Sequence, residues 1–218
     1  DTPYSILETS DGGFILAGDV KIGSLKNNVF LVKYDSNGEV LWNKSYGLKG
    51  NEAARKIIQN NDDLIVIGSS VDTIEKAVDI YFKVLDKSGN EILTKNIGLD
   101  GSEFGYDIIK TDDSGFLIVG SSNSHNYKDS DFFVVKLDSN YDPKWFKNYG
   151  GSFEDIAYNA IQTNDSGYII CGITNSYGAG SYDGWVVKTD KNGNEQWNLT
   201  LGNRDEDIIC DIIKINDS

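Results

Sequence analysis

The chain has 218 residues, with 20 Lys+Arg against 34 Asp+Glu and a formal net charge of −14. Such an excess of acid offers no cationic footprint for nucleic-acid phosphates and repels anionic lipid headgroups. No apolar run reaches the roughly 18 residues that spanning a bilayer requires, so no membrane insertion is expected.

The first period of the chain reads as four short strands. Tyr4-Ser-Ile-Leu-Glu-Thr9 is followed by a Ser10-Asp-Gly-Gly13 turn and then Phe14-Ile-Leu-Ala-Gly18. A polar loop leads to Val29-Phe-Leu-Val-Lys-Tyr34. An Asp35-Ser-Asn-Gly38 turn leads to Glu39-Val-Leu-Trp-Asn-Lys-Ser-Tyr46. Each run is short, rich in β-branched and aromatic residues, and bounded by Gly, Asn, Asp or Ser, which is the strand and hairpin signature. No segment keeps a helical period.

The same pattern then repeats. Gly18, Gly68, Gly120 and Gly172 each end an apolar run. Asp35, Asp86, Asp138 and Asp190 open the second hairpin turn, and Gly47, Gly98, Gly150 and Gly202 follow each of them at a constant distance. An acid lies five residues past each of those glycines: Glu52, Glu103, Asp155 and Asp207. Extrapolated backwards, that acid falls on Asp1. The periods are 1–51, 52–102, 103–154 and 155–206, with the start of a fifth at 207–218. Four antiparallel strands in about 50 residues is the blade of a β-propeller. The expected fold is all-β, a propeller of four-stranded antiparallel blades with about four blades present. The absence of Met and the surplus strand at Ile208–Ile213 lead us to expect an excerpt of a larger propeller, with further blades as partners.

Trp42, Trp145 and Trp197 occupy one position behind the second hairpin turn, where the second repeat has Leu93. A Trp fixed there is expected to lie on the neighbouring blade and bury on the order of 150–250 Å². Blades share no common core, so such junctions carry the fold.

These motifs carry a resemblance. Asp11-Gly-Gly-Phe-Ile-Leu-Ala-Gly18, Val32-Lys-Tyr-Asp-Ser-Asn-Gly-Glu-Val-Leu-Trp42 and Lys44-Ser-Tyr-Gly47 resemble the roughly 50-residue propeller repeats of bacterial and archaeal secreted or cell-surface proteins. The likeness covers essentially the whole chain, and the second repeat departs most. It implies surface display or secretion and a non-enzymatic role in recognition, adhesion or scaffolding. It transfers no catalytic residues. Gly38-x-x-x-Trp42 and Gly193-x-x-x-Trp197 are also similar to the tryptophan-docking motif of quinoprotein propellers, a likeness of blade packing only.

In a propeller the acid before the first strand of each blade and the residue opening its third strand reach one face. Glu52, Glu103, Asp155 and Asp207 would then gather with Asn28, Asp79, Asp131 and Asp183. Hard oxygen ligands of this kind suit Ca²⁺, and otherwise no cofactor is expected. The alternative is that each carboxylate caps a loop once per blade. The Asp35–Gly38 and Asp190–Gly193 turns fail the calcium-loop spacing and read as Asx turns. The loops between second and third strands differ most among repeats, the usual place for recognition on a fixed scaffold. Tyr127, Tyr177 and Tyr182 lie there, beside Asp131 and Asp183, and suit a glycan or protein ligand. His125 is the single histidine, so zinc sites and hydrolytic triads are not expected. Cys171 and Cys210 occupy packing positions and read as two buried thiols, with a disulfide between adjacent blades left open. The competing function is an enzyme using the carboxylate-rich face: a polysaccharide lyase, a glycosidase or a quinoprotein.

Overall fold

The computed structural model describes residues 2–22, 26–47, 51–71, 77–124 and 129–215. Among them are sixteen strands and no helix. The first sheet contains β1 (Thr2–Glu8), β2 (Phe14–Ile22), β3 (Lys26–Tyr34) and β4 (Val40–Tyr46). The second contains β5 (Asn51–Asn60), β6 (Asp63–Val71), β7 (Val78–Leu85) and β8 (Glu91–Ile97). The third contains β9 (Glu103–Lys110), β10 (Phe116–Ser122), β11 (Asp131–Leu137) and β12 (Pro143–Tyr149). The fourth contains β13 (Asp155–Gln162), β14 (Tyr168–Thr174), β15 (Asp183–Thr189) and β16 (Glu195–Leu201). Each is an antiparallel meander in which sequence neighbours are hydrogen-bonded neighbours. This is the all-β, four-stranded blade architecture of the β-propeller class that the repeat predicts.

The chain divides into two compact units, residues 1–105 and 106–218. In the first, β5 packs across β1, β2 and β3. The core between those two sheets includes Ile15, Leu31, Ala54, Leu64 and Tyr81. In the second, β13 packs on β10 and β11, around Phe132, Tyr168 and Trp185. The Phe132 and Trp185 ring centroids stand 4.6 Å apart. Middle strands such as β10 and β11 are buried along their whole length. They therefore read as continuous apolar runs rather than alternating ones.

A bulge explains the first glycine anchor. The first strand of the blade slips by one residue between Pro3 and Ser5, between Ala54 and Lys56, and between Ala157 and Asn159. Gly18, Gly68 and Gly172 lie opposite those slips. A Cβ on Gly172 would overlap the Ile156 carbonyl oxygen, so only glycine lets the bulged strand approach. The Asp anchor is explained by its turn. Asp190 Oδ1 accepts the amides of Asn192 and Asn194, both at 2.8 Å, and Asp35 accepts those of Asn37 and Glu39. These bonds hold the carboxyls of Asp35 and Asp190 below the usual aspartate range.

Residues 207–215 differ from expectation. Asp207 N donates to Tyr182 O at 2.8 Å, as Asp155 N does to Ser130 O at 2.6 Å. The segment thus starts as the first strand of a blade starts. It forms no strand, because no second strand pairs with it among the described residues. Cys210 is exposed for the same reason, which corrects the expectation that both thiols are buried. Cys171 is buried, both cysteines are free, and burial pushes the Cys171 thiol up to about 12.

Candidate functional site

Three of the acids that open the periods turn inward. Glu52, Glu103 and Asp155 are fully buried. Glu103 Oε2 accepts Leu99 N at 2.9 Å, Asp155 Oδ2 accepts Gly151 N at 2.9 Å, and Asp207 Oδ2 accepts Asn203 N at 2.8 Å. Each acid therefore ties down the connection that precedes it. Asp155 also accepts the hydroxyls of Thr174 and, at 2.8 Å, Ser176.

The residues opening the third strands meet these acids over the second glycine anchor. A Cβ on Gly150 would run into Asp131 Oδ1 and stand 2.7 Å from Asp155 Oδ2. Gly98 is crowded in the same way by Asp79 and Glu103, and Gly202 by Asp183 and Asp207. Glycine leaves the room that two carboxylates need. Burial, with the charge of Asp155 beside it, pushes the Asp131 carboxyl up to about 6. In the first sheet the corresponding residue against Gly47 is the neutral Asn28. Asp183 is buried, and Ala179 N donates to its Oδ2 at 2.9 Å. Among the described residues no three His, Cys, Asp or Glu side chains gather as a metal-binding group.

Of the loop tyrosines, Tyr177 donates its hydroxyl to Gly150 O at 2.8 Å and packs on Trp185, ring centroids 5.2 Å apart. Tyr182 donates to Glu154. Both hydroxyls are spent on anchoring their own loop. Tyr127 and His125 lie outside the described residues, as does Asp1.

The three tryptophans are not equivalent. A Cβ on Gly89 would stand 3.2 Å from Trp42 Cη2, and one on Gly193 would stand 2.9 Å from Trp145 Cη2. Trp42 and Trp145 thus lie against the second hairpin turn of the following sheet. Tyr46 and Tyr149 reinforce them by donating to Gly89 O at 2.8 Å and Gly193 O at 2.7 Å. Lys44 and Lys147 add bonds to Asn90 and Asn194. Trp197 is 47 % exposed.

Sequence reasoning passed over a set of buried lysines. Lys33, Lys136 and Lys188 sit in third strands and bond Asp11, Asp113 and Asp165 of the first hairpin turn at 2.7, 2.9 and 2.9 Å. The available signal was a Lys two residues before Asp35, Asp138 and Asp190 inside an apolar strand. The second sheet has Val84 in that register, opposite Ile65. Its first turn, Asn60-Asn-Asp-Asp63, is one residue shorter than the others. There Lys83 bonds Glu91 and Thr94 instead.

Two clefts open beside these turns, one in each unit. The first, of about 300 Å³, is lined by Asp11, Lys33, Gln59, Leu64 and Lys87 among others. The second, of about 410 Å³, repeats that set as Asp113, Lys136, Gln162, Tyr168 and Lys191. It adds Trp145, Lys144 and Asn192. Trp145 and Tyr168 stand 6.3 Å apart, inclined at 59°. Burial pushes the Tyr168 hydroxyl up to about 12. The second cleft therefore has the half-buried Trp145 ring beside buried Tyr168, rimmed by amides, ammonium groups and the carboxylates of Asp112 and Asp113, where the first has Leu64.

No protein-family model matches the chain, and no curated protein matches it in sequence. Among solved structures it is similar to an ACO/RPE65 chimera, at 12% identity and a TM-score of 0.52. That similarity covers 91% of this chain and 49% of the chimera, so the chain spans about half the length of that protein. It is also similar to a GH43 endo-arabinanase from Bacillus licheniformis, at 13% identity and a TM-score of 0.49, over 92% and 79% of the two chains. The similarity to the chimera concerns the fold alone, and the chain's four four-stranded antiparallel sheets are of the β-propeller class.

Proposed function

We propose that the chain is a non-enzymatic recognition module of a secreted or surface-displayed protein, and that it takes an acidic glycan in the cleft at Trp145 and Tyr168. One observation carries this reading. The two clefts repeat one another, yet the second has Tyr168 where the first has Leu64, is lined by Trp145 and has gained Lys144. A structural need recurs in every blade, whereas a site is singular. The Trp145 ring suits the C–H face of a sugar, the amides of Gln162 and Asn192 suit its hydroxyls, and Lys144 and Lys191 suit a carboxylate or sulfate.

A glycan array followed by calorimetry tests it. The expected result is binding to uronic or sulfated glycans. Lys144→Ala with Lys191→Ala should weaken it at least about tenfold, which is about 1.4 kcal/mol, without lowering Tm. Absence of any acidic-glycan binding, or an unchanged affinity in the double variant, would contradict the reading.

The enzyme reading rests on Asp131, whose carboxyl is raised as a general acid requires. Glycoside hydrolysis needs a second, available carboxylate. Its nearest candidate, Asp155, is fully buried and already accepts the Gly151 amide and the Thr174 and Ser176 hydroxyls. Release of reducing sugar that disappears in Asp131→Asn would favour the enzyme over the recognition module.

A further inference from the structure

We propose that Asp131 and Asp155 hold one hard divalent cation, Ca²⁺ or Mg²⁺, where their carboxylates meet over Gly150. The place of an added Cβ on Gly150 lies 2.1 Å from Asp131 Oδ1 and 2.7 Å from Asp155 Oδ2. One oxygen of each side chain is therefore aimed at the same small space. Asp155 is fully buried and Asp131 is only 7 % exposed.

Asp131 points to a ligand because it has no partner of its own. It opens β11, opposite Ser122 of β10. Among the described residues no amide, hydroxyl or ammonium group donates to its carboxyl, and the charge that acts on it is that of Asp155. The corresponding residues of two other sheets have a remedy that Asp131 lacks. In the first sheet the residue is the neutral Asn28. In the fourth, Asp183 Oδ2 accepts Ala179 N at 2.9 Å. A buried carboxylate set against a second one is strongly unfavourable unless positive charge joins them. A divalent cation neutralises the pair.

Asp155 is held as a metal ligand is held. Its Oδ2 accepts Gly151 N at 2.9 Å and the Ser176 hydroxyl at 2.8 Å, and its Oδ1 accepts the Thr174 hydroxyl. These bonds come from two sides, from the connection before β13 and from the end of β14. Ligating carboxylates are oriented by such outer hydrogen bonds, which leave a lone pair for the metal. All the donor atoms are oxygens, which selects a hard cation. Mg²⁺ is commonly held by one or two carboxylates and keeps several waters, so two carboxylates suffice. Ca²⁺ takes more oxygens, and the Ser176 hydroxyl beside Asp155 offers one. The cleft at Trp145 shares no lining residue with this pair, so the two proposals fail separately.

Calorimetry and thermal melts on the full chain test the proposal, after the protein is stripped with chelator and dialysed at neutral pH. CaCl₂ and MgCl₂ are titrated in parallel, against NaCl of equal ionic strength. At least one of the two is expected to bind saturably and to raise Tm beyond the NaCl control, and the tighter names the cation. Asp131→Asn is first melted in chelator to confirm its fold. It should lose one equivalent of bound cation or bind it at least about tenfold more weakly, since even an outer partner of a ligand is worth that much. Cation held by the acidic surface alone would remain in this variant. An Asp131→Asn chain that binds as many equivalents as tightly as wild type would therefore overturn the proposal. So would a wild-type Tm that neither cation raises above the NaCl control.

Discussion

At the scale of single residues, the chain uses charge mainly to hold its own turns. Asp131 does something else, because it is buried against a second acid. Its folded value, about 6, lies above the ordinary 3.8. The folded state therefore holds a proton that the unfolded state has lost between those values. Stability falls as pH rises through that window, and the penalty is fully felt above pH 6. Asn28 shows the neutral solution to the same position. Asp131→Asn is expected to stabilise the protein at pH 7 by about 1–3 kcal/mol, and the gain should vanish below about pH 4. Thermal melts of both proteins between those pH values check the crossing. Asp165 has the opposite sign. Its bond from Thr163, then that from Lys188, hold its carboxyl well below the usual range. That support is present above the ordinary aspartate value and is lost as pH falls through the folded one.

At the scale of elements, the periodic glycines and acids in the sequence already announced four hairpin-built blades, and the strands fall where the turns place them. What stayed hidden depends on which neighbour a side chain meets. The slip opposite Gly172 is invisible in a linear pattern, since a bulge adds a residue without changing composition. Lys188 reads as a surface residue until the turn carrying Asp165 folds over it. The aromatic cleft was equally hidden, because Tyr168 is one more apolar strand residue until Trp145 arrives from the preceding sheet. Tyr177 and Tyr182 stood out in a variable loop, yet their hydroxyls bond Gly150 and Glu154. The three tryptophans look alike in sequence, yet Trp145 lies against the turn at Gly193 and Trp197 is exposed. The glycines under them make a measurable contrast. Gly38→Ala should cost only the backbone strain of positive φ, about 1–2 kcal/mol. Gly193→Ala should cost a further 1–3 kcal/mol or so, because its Cβ meets the Trp145 ring. Denaturant midpoints of the two variants read the difference directly.

At the scale of the molecule, the sheets are built alike and the differences between them lie at their junctions. The second sheet has lost the register Lys and the Trp together. The first, third and fourth sheets keep both. Stability in such a chain is a sum of blade terms and nearest-neighbour terms. The account holds that one Trp seated on one glycine turn is a principal part of the term between the third and fourth sheets. A double-mutant cycle of Trp145→Ala and Gly193→Ala tests this most directly. We predict that Gly193→Ala costs about 2–5 kcal/mol in the wild type. With Trp145 already removed it should cost only the backbone strain, about 1–2 kcal/mol. Costs that add to within about 0.5 kcal/mol, as for independent sites, would contradict the account.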